Sequence, residues 1–222
     1  MTWWVSDLWG RDPAMLISWV VWVIGSITLH ELSHGWVAIR LGDKTPIYSG
    51  HMTWNPLVHM GNMSLLMFAV VGIAWGLMPV DPTRLRGRHG DAIVSAAGPA
   101  MNIALAAAAI VLGGVWLALG KGVGQPLFGN VVTFFWAGAF LNMILAGLNL
   151  LPVPPLDGGH IAASFSPTIR RWMSEPQTAM IATLVTIFII FRYGGRMWGP
   201  AMDAAASGMD LVGRLLGAHG VA

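Results

Sequence analysis

The sequence contains no cysteine among its 222 residues, so disulfides and thiolate metal sites are excluded. Any metal ion must be bound by histidine, aspartate or glutamate side chains. Charged residues are also scarce, at 10% of the chain, whereas a soluble domain usually carries about 25%. Hydrophobic residues make up 55%, and the net charge of +2 is too small to indicate a nucleic-acid partner. This composition predicts an integral membrane protein surrounded by the lipid bilayer.

Residues 14–39 form an apolar run in which the only ionisable side chains are His30, Glu31 and His34. The run is long enough to cross a bilayer, which takes about 20 apolar residues. A carboxylate at that depth costs on the order of 3 kcal/mol unless it faces a partner or a wet cavity. Packing does not explain three ionisable groups so close together on such a helix, whereas a buried metal site does.

These side chains follow the pattern H-E-x-x-H. Residues four apart on an α-helix share a face, so His30 and His34 can direct both imidazoles at one ion, with Glu31 beside them. Zinc takes neutral imidazole ligands, and a neighbouring carboxylate can accept a proton from the water that the metal activates. The alternative interpretation is a pair of surface histidines around an acid.

A third protein ligand is expected, because catalytic zinc sites usually have three. The candidates are His51, His59, Asp157 and His160. We favour Asp157, since prolines break an apolar run just before it, a Gly-Gly pair follows it, and its charge needs a partner at that depth. In the alternative interpretation, Asp157 caps the next helix at the membrane interface.

Four apolar runs predict membrane spans, at residues 14–41, 92–119, 127–151 and 178–191. Residues 63–80 predict either a short span or a re-entrant loop. Residues 47–55 alternate in polarity like a strand, and non-helical backbone at membrane depth marks a cavity. The predicted fold is a mostly α, polytopic membrane protein with about 4–6 transmembrane helices and a short membrane-embedded β element.

We expect a single membrane-embedded domain over residues 1–222, with a core at about 14–165. Residues 166–222 are predicted to form a peripheral span and an interfacial tail, because the tail has one apolar face. If residues 63–80 re-enter, Lys and Arg divide seven against four between the two sides. The positive-inside rule then puts the candidate ligands nearer the cytoplasmic side.

Three motifs together carry a family resemblance. They are His30-Glu31-Leu32-Ser33-His34, Ala97-Gly98-Pro99-Ala100-Met101-Asn102 and Asn149-Leu150-Leu151-Pro152-Val153-Pro154-Pro155-Leu156-Asp157-Gly158-Gly159. In order and spacing they resemble the signature motifs of the site-2 protease family of intramembrane zinc metalloproteases. Residues 55–59 and 79–82 resemble its short bacterial subgroup. The subgroup usually has Ile-Asp-Pro after His59, where this chain has Met60-Gly61-Asn62.

The resemblance implies that His30, His34 and Asp157 bind zinc and that Glu31 is the general base. It also implies a membrane-embedded β element after the metal helix, and a location in a bacterial cell membrane. The departure after His59 affects none of the implied metal ligands.

Two asparagines are candidates for catalysis. Asn149 and Asn102 could donate hydrogen bonds to an oxyanion or clamp the substrate. Each could instead make a helix–helix hydrogen bond worth on the order of 1 kcal/mol. Asn142 and His160 are predicted to be structural.

The predicted substrate is a single-span membrane protein that unwinds locally to expose a peptide bond. His59, His51 and Asn55 are the candidate substrate-binding residues, with loop packing as the alternative for His59. An extended substrate could add to the edge of residues 47–55.

Two rival functions are a membrane metal-ion transporter and a catalytically silent scaffold. A transporter would need polar groups in both halves of the bilayer, whereas here they gather toward one side. A catalytically silent scaffold is disfavoured because loss of Glu31 is the easy way to silence the site, and this chain retains Glu31. A regulatory membrane partner or a homo-oligomer is left open by the sequence.

Overall fold

The computed structural model describes residues 3–193 and 195–218, and in these residues it is mostly helical, without a β-strand. Short 3-10 turns occur at Pro82–Arg84 and Gly120–Gly122. The α-helices, in chain order, are α1 (Trp4–Arg11), α2 (Pro13–Arg40), α3 (Thr45–Tyr48), α4 (Pro56–Val71), α5 (Gly90–Leu119), α6 (Leu127–Asn149), α7 (Asp157–Phe165), α8 (Pro167–Ser174), α9 (Pro176–Tyr193) and α10 (Gly195–Leu215).

Three of the described helices, α2, α5 and α6, are long and apolar enough to cross a membrane. This finding supports a polytopic membrane protein, although the predicted count of four to six spans stays a prediction beyond these three.

The start of α2 follows from its sequence, because the Asp12 side chain accepts a hydrogen bond from the Met15 N–H and Pro13 takes the first helical position.

The helices α2, α5 and α6 pack against one another around a core that includes Val23, Ile27, Ala109 and Phe140. The contact between α2 and α6 is close because Gly138 has no side chain. The Trp22 ring lies over this glycine and donates its indole N–H to the Phe134 carbonyl, at 2.8 Å.

The C-terminal helix α10 also packs against this group. Its residues Ala205 and Met209 are buried, and Met209 and Val212 lie against the bare backbone of Gly113 and Gly114 on α5. The tail predicted to lie in the membrane interface therefore contacts the helical core directly. Small residues allow this close approach between membrane helices.

The predicted strand at residues 47–55 is wrong. Pro46, near the start of α3, favours a helical turn there, and the turn ends at Gly50, whose φ is +72°. The described residues contain no strand, so this segment has no partner with which to form a sheet.

Residues 56–81 fold back on themselves, as a re-entrant loop requires. The helix α4 ends at Gly72, and the chain then returns along the same helix. Trp75 exchanges two backbone hydrogen bonds with the Ser64 hydroxyl, and the Leu77 N–H donates to the His59 carbonyl at 2.9 Å. We refer to residues 73–81 as the return segment.

The return segment is joined to the end of α2 by Asp43. This side chain is fully buried, and its carboxylate accepts hydrogen bonds from the N–H and hydroxyl of Thr45 and from the Asp81 N–H. Burial alone would raise the pKa of Asp43, but the hydrogen bonds from Thr45 and Asp81 outweigh it, and the pKa lies below its ordinary value.

This lowered pKa predicts an acid-sensitive contribution to stability. An aspartate whose pKa is depressed on folding stabilises the protein above its unfolded pKa of about 3.9 and loses that contribution as the pH falls through the folded value. We expect the free energy of unfolding in detergent to fall more steeply below about pH 4 for the wild type than for Asp43→Asn. Equal slopes for the two proteins would contradict this prediction.

Candidate metal centre

The helix α2 brings two imidazoles into contact. His30 and His34 lie one turn apart on its buried face, and their Nε2 atoms are 3.0 Å apart. Such a short separation between two ring nitrogens requires either a shared proton or a cation, because two lone pairs repel each other.

The partners of the other ring nitrogens show which nitrogen of each neutral ring is unprotonated. His34 Nδ1 lies 2.7 Å from the Val94 carbonyl of α5, which can only accept, so this nitrogen carries the proton. The Nε2 atom of neutral His34 is therefore an unprotonated lone pair.

The tautomer of His30 is fixed by a chain of asparagines that ends at a carbonyl. The Gly138 carbonyl accepts from Asn142 Nδ2 at 2.9 Å, which leaves Asn142 Oδ1 to accept from Asn102 Nδ2 at 2.9 Å. Asn102 Oδ1 must then accept from His30 Nδ1, at 2.6 Å. In the neutral ring, His30 Nε2 is consequently a second lone pair that faces the first.

Asp157 completes the group from α7. Its carboxylate oxygens lie 3.1 Å from His30 Nε2 and 3.4 Å from His34 Nε2. The first turn of α7 packs tightly on the preceding loop, since a Cβ at Gly158 would overlap the Leu151 carbonyl and a Cβ at Gly159 would crowd Val153. The Gly-Gly pair thus permits the approach that positions Asp157.

This donor set fits a metal ion. One ligand atom from each of His30, His34 and Asp157 lies within 4.8 Å of the others, and Asp157 Oδ2 is buried with no hydrogen-bond partner in the described residues. Gly98 leaves space beside both imidazoles, because a Cβ there would overlap the Nε2 atoms of His30 and His34. Two neutral imidazoles and a carboxylate are a typical catalytic zinc ligand set, in which a fourth position stays open.

Glu31 lies in the same buried stretch of α2, against the return segment. A Cβ added to Gly76 would overlap the Glu31 carboxylate and its Cγ. Within residues 3–193 and 195–218, no hydrogen bond to the Glu31 side chain is found. Its position therefore depends on packing against the Gly76 backbone.

Asn102 is adjacent to the candidate metal group and fully buried, and its amide oxygen bonds to His30, so the side chain orients the His30 imidazole. Asn149 donates to the Leu145 carbonyl of its own helix. No hydrogen bond from Asn149 to His30, Glu31 or Asp157 is found among the described residues, and its catalytic role stays a prediction.

Of the three predicted substrate-binding residues, His51 and Asn55 lie in the loop between α3 and α4, and His59 lies near the start of α4. His59 is fully buried, and its Nε2 bonds to the Thr53 carbonyl at 2.7 Å. Asn55 caps α4 by accepting from the Leu57 N–H, and His51 bonds to Ser49. These contacts give each residue a structural part in the loop, and a substrate contact stays a prediction.

Asn142 is predicted to be structural, and it links Asn102 to Gly138 through hydrogen bonds. Two glycines also shape the site, and the sequence carries no prediction for the role of either. Gly98 and Gly76 act through the side chain that they lack. Gly98 lies inside a recognised motif, so its position was a usable signal, whereas nothing in the sequence pairs Gly76 with Glu31.

Comparison with known proteins agrees with this geometry. The family model described as Peptidase family M50 matches residues 115–192. YwhC of Bacillus subtilis, named as a zinc metalloprotease, is 32% identical over 178 residues, which cover 77% of this chain and 79% of the relative. Rip2 of Mycobacterium tuberculosis strain H37Rv, named likewise, is 28% identical over 190 residues, covering 80% and 68%. No solved structure matches the chain.

The relationship to YwhC extends over most of both chains, and the family match includes Asp157. The chain therefore belongs to peptidase family M50, the site-2 protease family, and is a zinc-dependent peptidase.

Proposed function

We propose that this protein is an intramembrane protease that hydrolyses peptide bonds in or near the transmembrane segment of a single-span membrane protein. The observation that carries the proposal is the convergence of His30, His34 and Asp157, with Glu31 beside them, on the buried face of a helix long enough to span a bilayer.

His30, His34 and Asp157 would hold the zinc ion. When bound, zinc acts as a Lewis acid that polarises a carbonyl and makes a water more acidic. Asn102 and the Val94 carbonyl keep each Nδ1 protonated, so that each Nε2 presents a lone pair. Glu31 accepts the proton of the attacking water and returns it to the leaving amine, as general base and then general acid.

The return segment is the candidate docking edge for the substrate, in place of residues 47–55. The backbone groups of Trp75 and Leu77 bond towards α4. Alternate residues of extended backbone point to opposite sides, so the backbone groups of Gly76 and Met78 face the other way. In the described residues these groups have no hydrogen-bond partner, and an unwound substrate could pair with them by strand addition.

We propose the bacterial cell membrane as the location, with the metal centre nearer the cytoplasmic side. The chain returns to one side after α2, and α5 begins there, as the Leu41 carbonyl accepts from the Arg86 N–H at 2.8 Å. The loops on this side hold the larger set of Lys and Arg, which supports a cytoplasmic orientation.

Glu31→Gln tests the general base. We expect zinc content to stay at the wild-type level, while cleavage of a single-span substrate in liposomes falls by about 10²- to 10⁴-fold, because the amide cannot accept the proton. Glu175→Gln is the matched control, since Glu175 is the only other glutamate and is exposed. Cleavage by Glu31→Gln at the wild-type rate would remove Glu31 from this role, and chelation should abolish cleavage by the wild type.

Asp157→Ala tests the third ligand. We expect its zinc affinity to fall by more than the roughly 10- to 100-fold that losing an outer-shell partner costs, because a direct ligand is lost. The measurement is zinc per chain in purified protein during competition with a chelator. His51→Ala should retain zinc, and the reverse pattern would identify His51 as the ligand.

Asn102→Ala separates orientation of a ligand from contact with substrate. Removing the acceptor of His30 Nδ1 should weaken zinc binding by about 10- to 100-fold. Asn149→Ala should leave zinc affinity unchanged, since that side chain bonds only to its own helix in the described structure. A loss of kcat in Asn149→Ala with full zinc content would support its predicted catalytic role, while unchanged zinc affinity in Asn102→Ala would contradict the orienting role.

A further inference from the structure

Asp43 makes one local connection and one long-range connection. Its Oδ1 accepts from the N–H and hydroxyl of Thr45, at 2.9 and 2.6 Å, which forms a turn directly after α2. Its Oδ2 accepts from the Asp81 N–H at 2.7 Å, although the two residues are 38 positions apart. No ion pair to Asp43 is found in the described structure, so these donors alone compensate the buried charge.

The return segment has three hydrogen-bonded attachments. Ser64 holds Trp75, the His59 carbonyl holds the Leu77 N–H, and Asp43 holds the Asp81 N–H. Proline at position 79 has no N–H to donate. Beyond Leu77, Asp43 therefore provides the hydrogen bond that ties the segment to the rest of the protein.

Gly76 lies between two of these attachments, and the Glu31 carboxylate packs against its backbone. Since packing rather than hydrogen bonding holds Glu31, a shift of the return segment changes the space available to the carboxylate. A displacement of about 1 Å at a reacting group can cost on the order of 10²-fold in rate.

We propose that Asp43 is a positioning residue for catalysis: by holding Asp81, it fixes the return segment against Glu31. This inference rests on the proposed role of Glu31 and adds a residue outside the family motifs found in the sequence. A purely local role, in which Asp43 only forms the turn with Thr45, is the competing explanation.

Two substitutions separate these explanations. Asp43→Asn keeps the size of the side chain, but in either orientation of the amide one of the two backbone N–H groups, of Thr45 or of Asp81, faces an NH₂ donor. Thr45→Val removes the local hydroxyl bond and leaves the bond from Asp43 to Asp81 intact. Only Asp43→Asn therefore threatens the link to the return segment.

The first measurement is the kinetics of zinc-loaded protein. We expect kcat of Asp43→Asn to fall by about 10- to 100-fold with zinc content unchanged, because Glu31 is misplaced while the ligands are not. Thr45→Val should stay within about twofold of the wild type, since the Thr45 N–H still donates to Asp43 Oδ1 and the bond from Asp43 to Asp81 is unchanged. Equal losses in both variants, or a wild-type kcat in Asp43→Asn, would overturn the proposal.

The second measurement follows the return segment without using activity. Because the chain has no cysteine, spin labels can be attached at Leu77→Cys and Val21→Cys, both exposed positions. The distance distribution from pulsed electron paramagnetic resonance should broaden in Asp43→Asn and remain narrow in Thr45→Val. An unchanged distribution in Asp43→Asn would refute the link.

These two readouts keep the outcomes distinct. If Glu31→Gln cleaves normally, the proposal that Glu31 is the general base fails. Broadening of the distance distribution in Asp43→Asn would then show that Asp43 holds the return segment without acting through Glu31. That pair of results would overturn the proposed catalytic role of Asp43. If Asp43→Asn does not purify as a folded protein, Asp43→Glu takes its place. Its longer side chain keeps the charge but displaces the Asp81 attachment, and the same broadening and loss of kcat are expected.

Discussion

The metal centre depends on one hydrogen-bond chain that starts from a backbone carbonyl. Because the Gly138 carbonyl can only accept, the amide orientations of Asn142 and Asn102 are determined in turn, and Asn102 Oδ1 sets the tautomer of His30. A buried network of this kind is stable only when every member is satisfied. Here the satisfied members direct the remaining unpaired nitrogen at the neighbouring imidazole and carboxylate.

Absent side chains shape the same region as much as present ones. Gly98 clears the space beside the imidazoles, Gly76 gives the Glu31 carboxylate room, and Gly158 lets α7 approach the preceding loop. Gly138 has two roles. Its missing side chain leaves room for the Trp22 ring, and its carbonyl accepts the hydrogen bond from Asn142 that begins the asparagine chain. In a close-packed interior, each of these positions has little tolerance for an added methyl group.

Local chemistry in the sequence was enough to predict that the ionisable side chains of His30, His34 and Asp157 lie together. Helical periodicity places His30 and His34 together, and the cost of a charge in an apolar run points to Asp157 as their partner. The same local reasoning failed at residues 47–55, where it predicted a strand and the structure has a helical turn followed by a loop. Alternating polarity indicates a strand only when a neighbouring strand is available, and that depends on residues far along the chain.

Long-range contacts account for the other misses. Asn142 and Asn102 lie 40 residues apart on different helices, and Asp43 bonds to Asp81, which lies 38 residues later in the chain, beyond α4. A single sequence carries no signal for such pairs, whereas the resemblance in the motifs marked Asn102 and Gly98 without indicating what either contacts. Family M50 membership supports the chemistry, and the contacts explain how this chain builds it.

The distance along the chain between the two halves of the donor set has a consequence for biosynthesis. His30 and His34 enter the membrane with the first long helix, but Asp157 is translated only after α5 and α6. Two imidazoles hold zinc far less firmly than a complete set of three ligands. The complete donor set therefore exists only after α7 has been synthesised and has packed against α2.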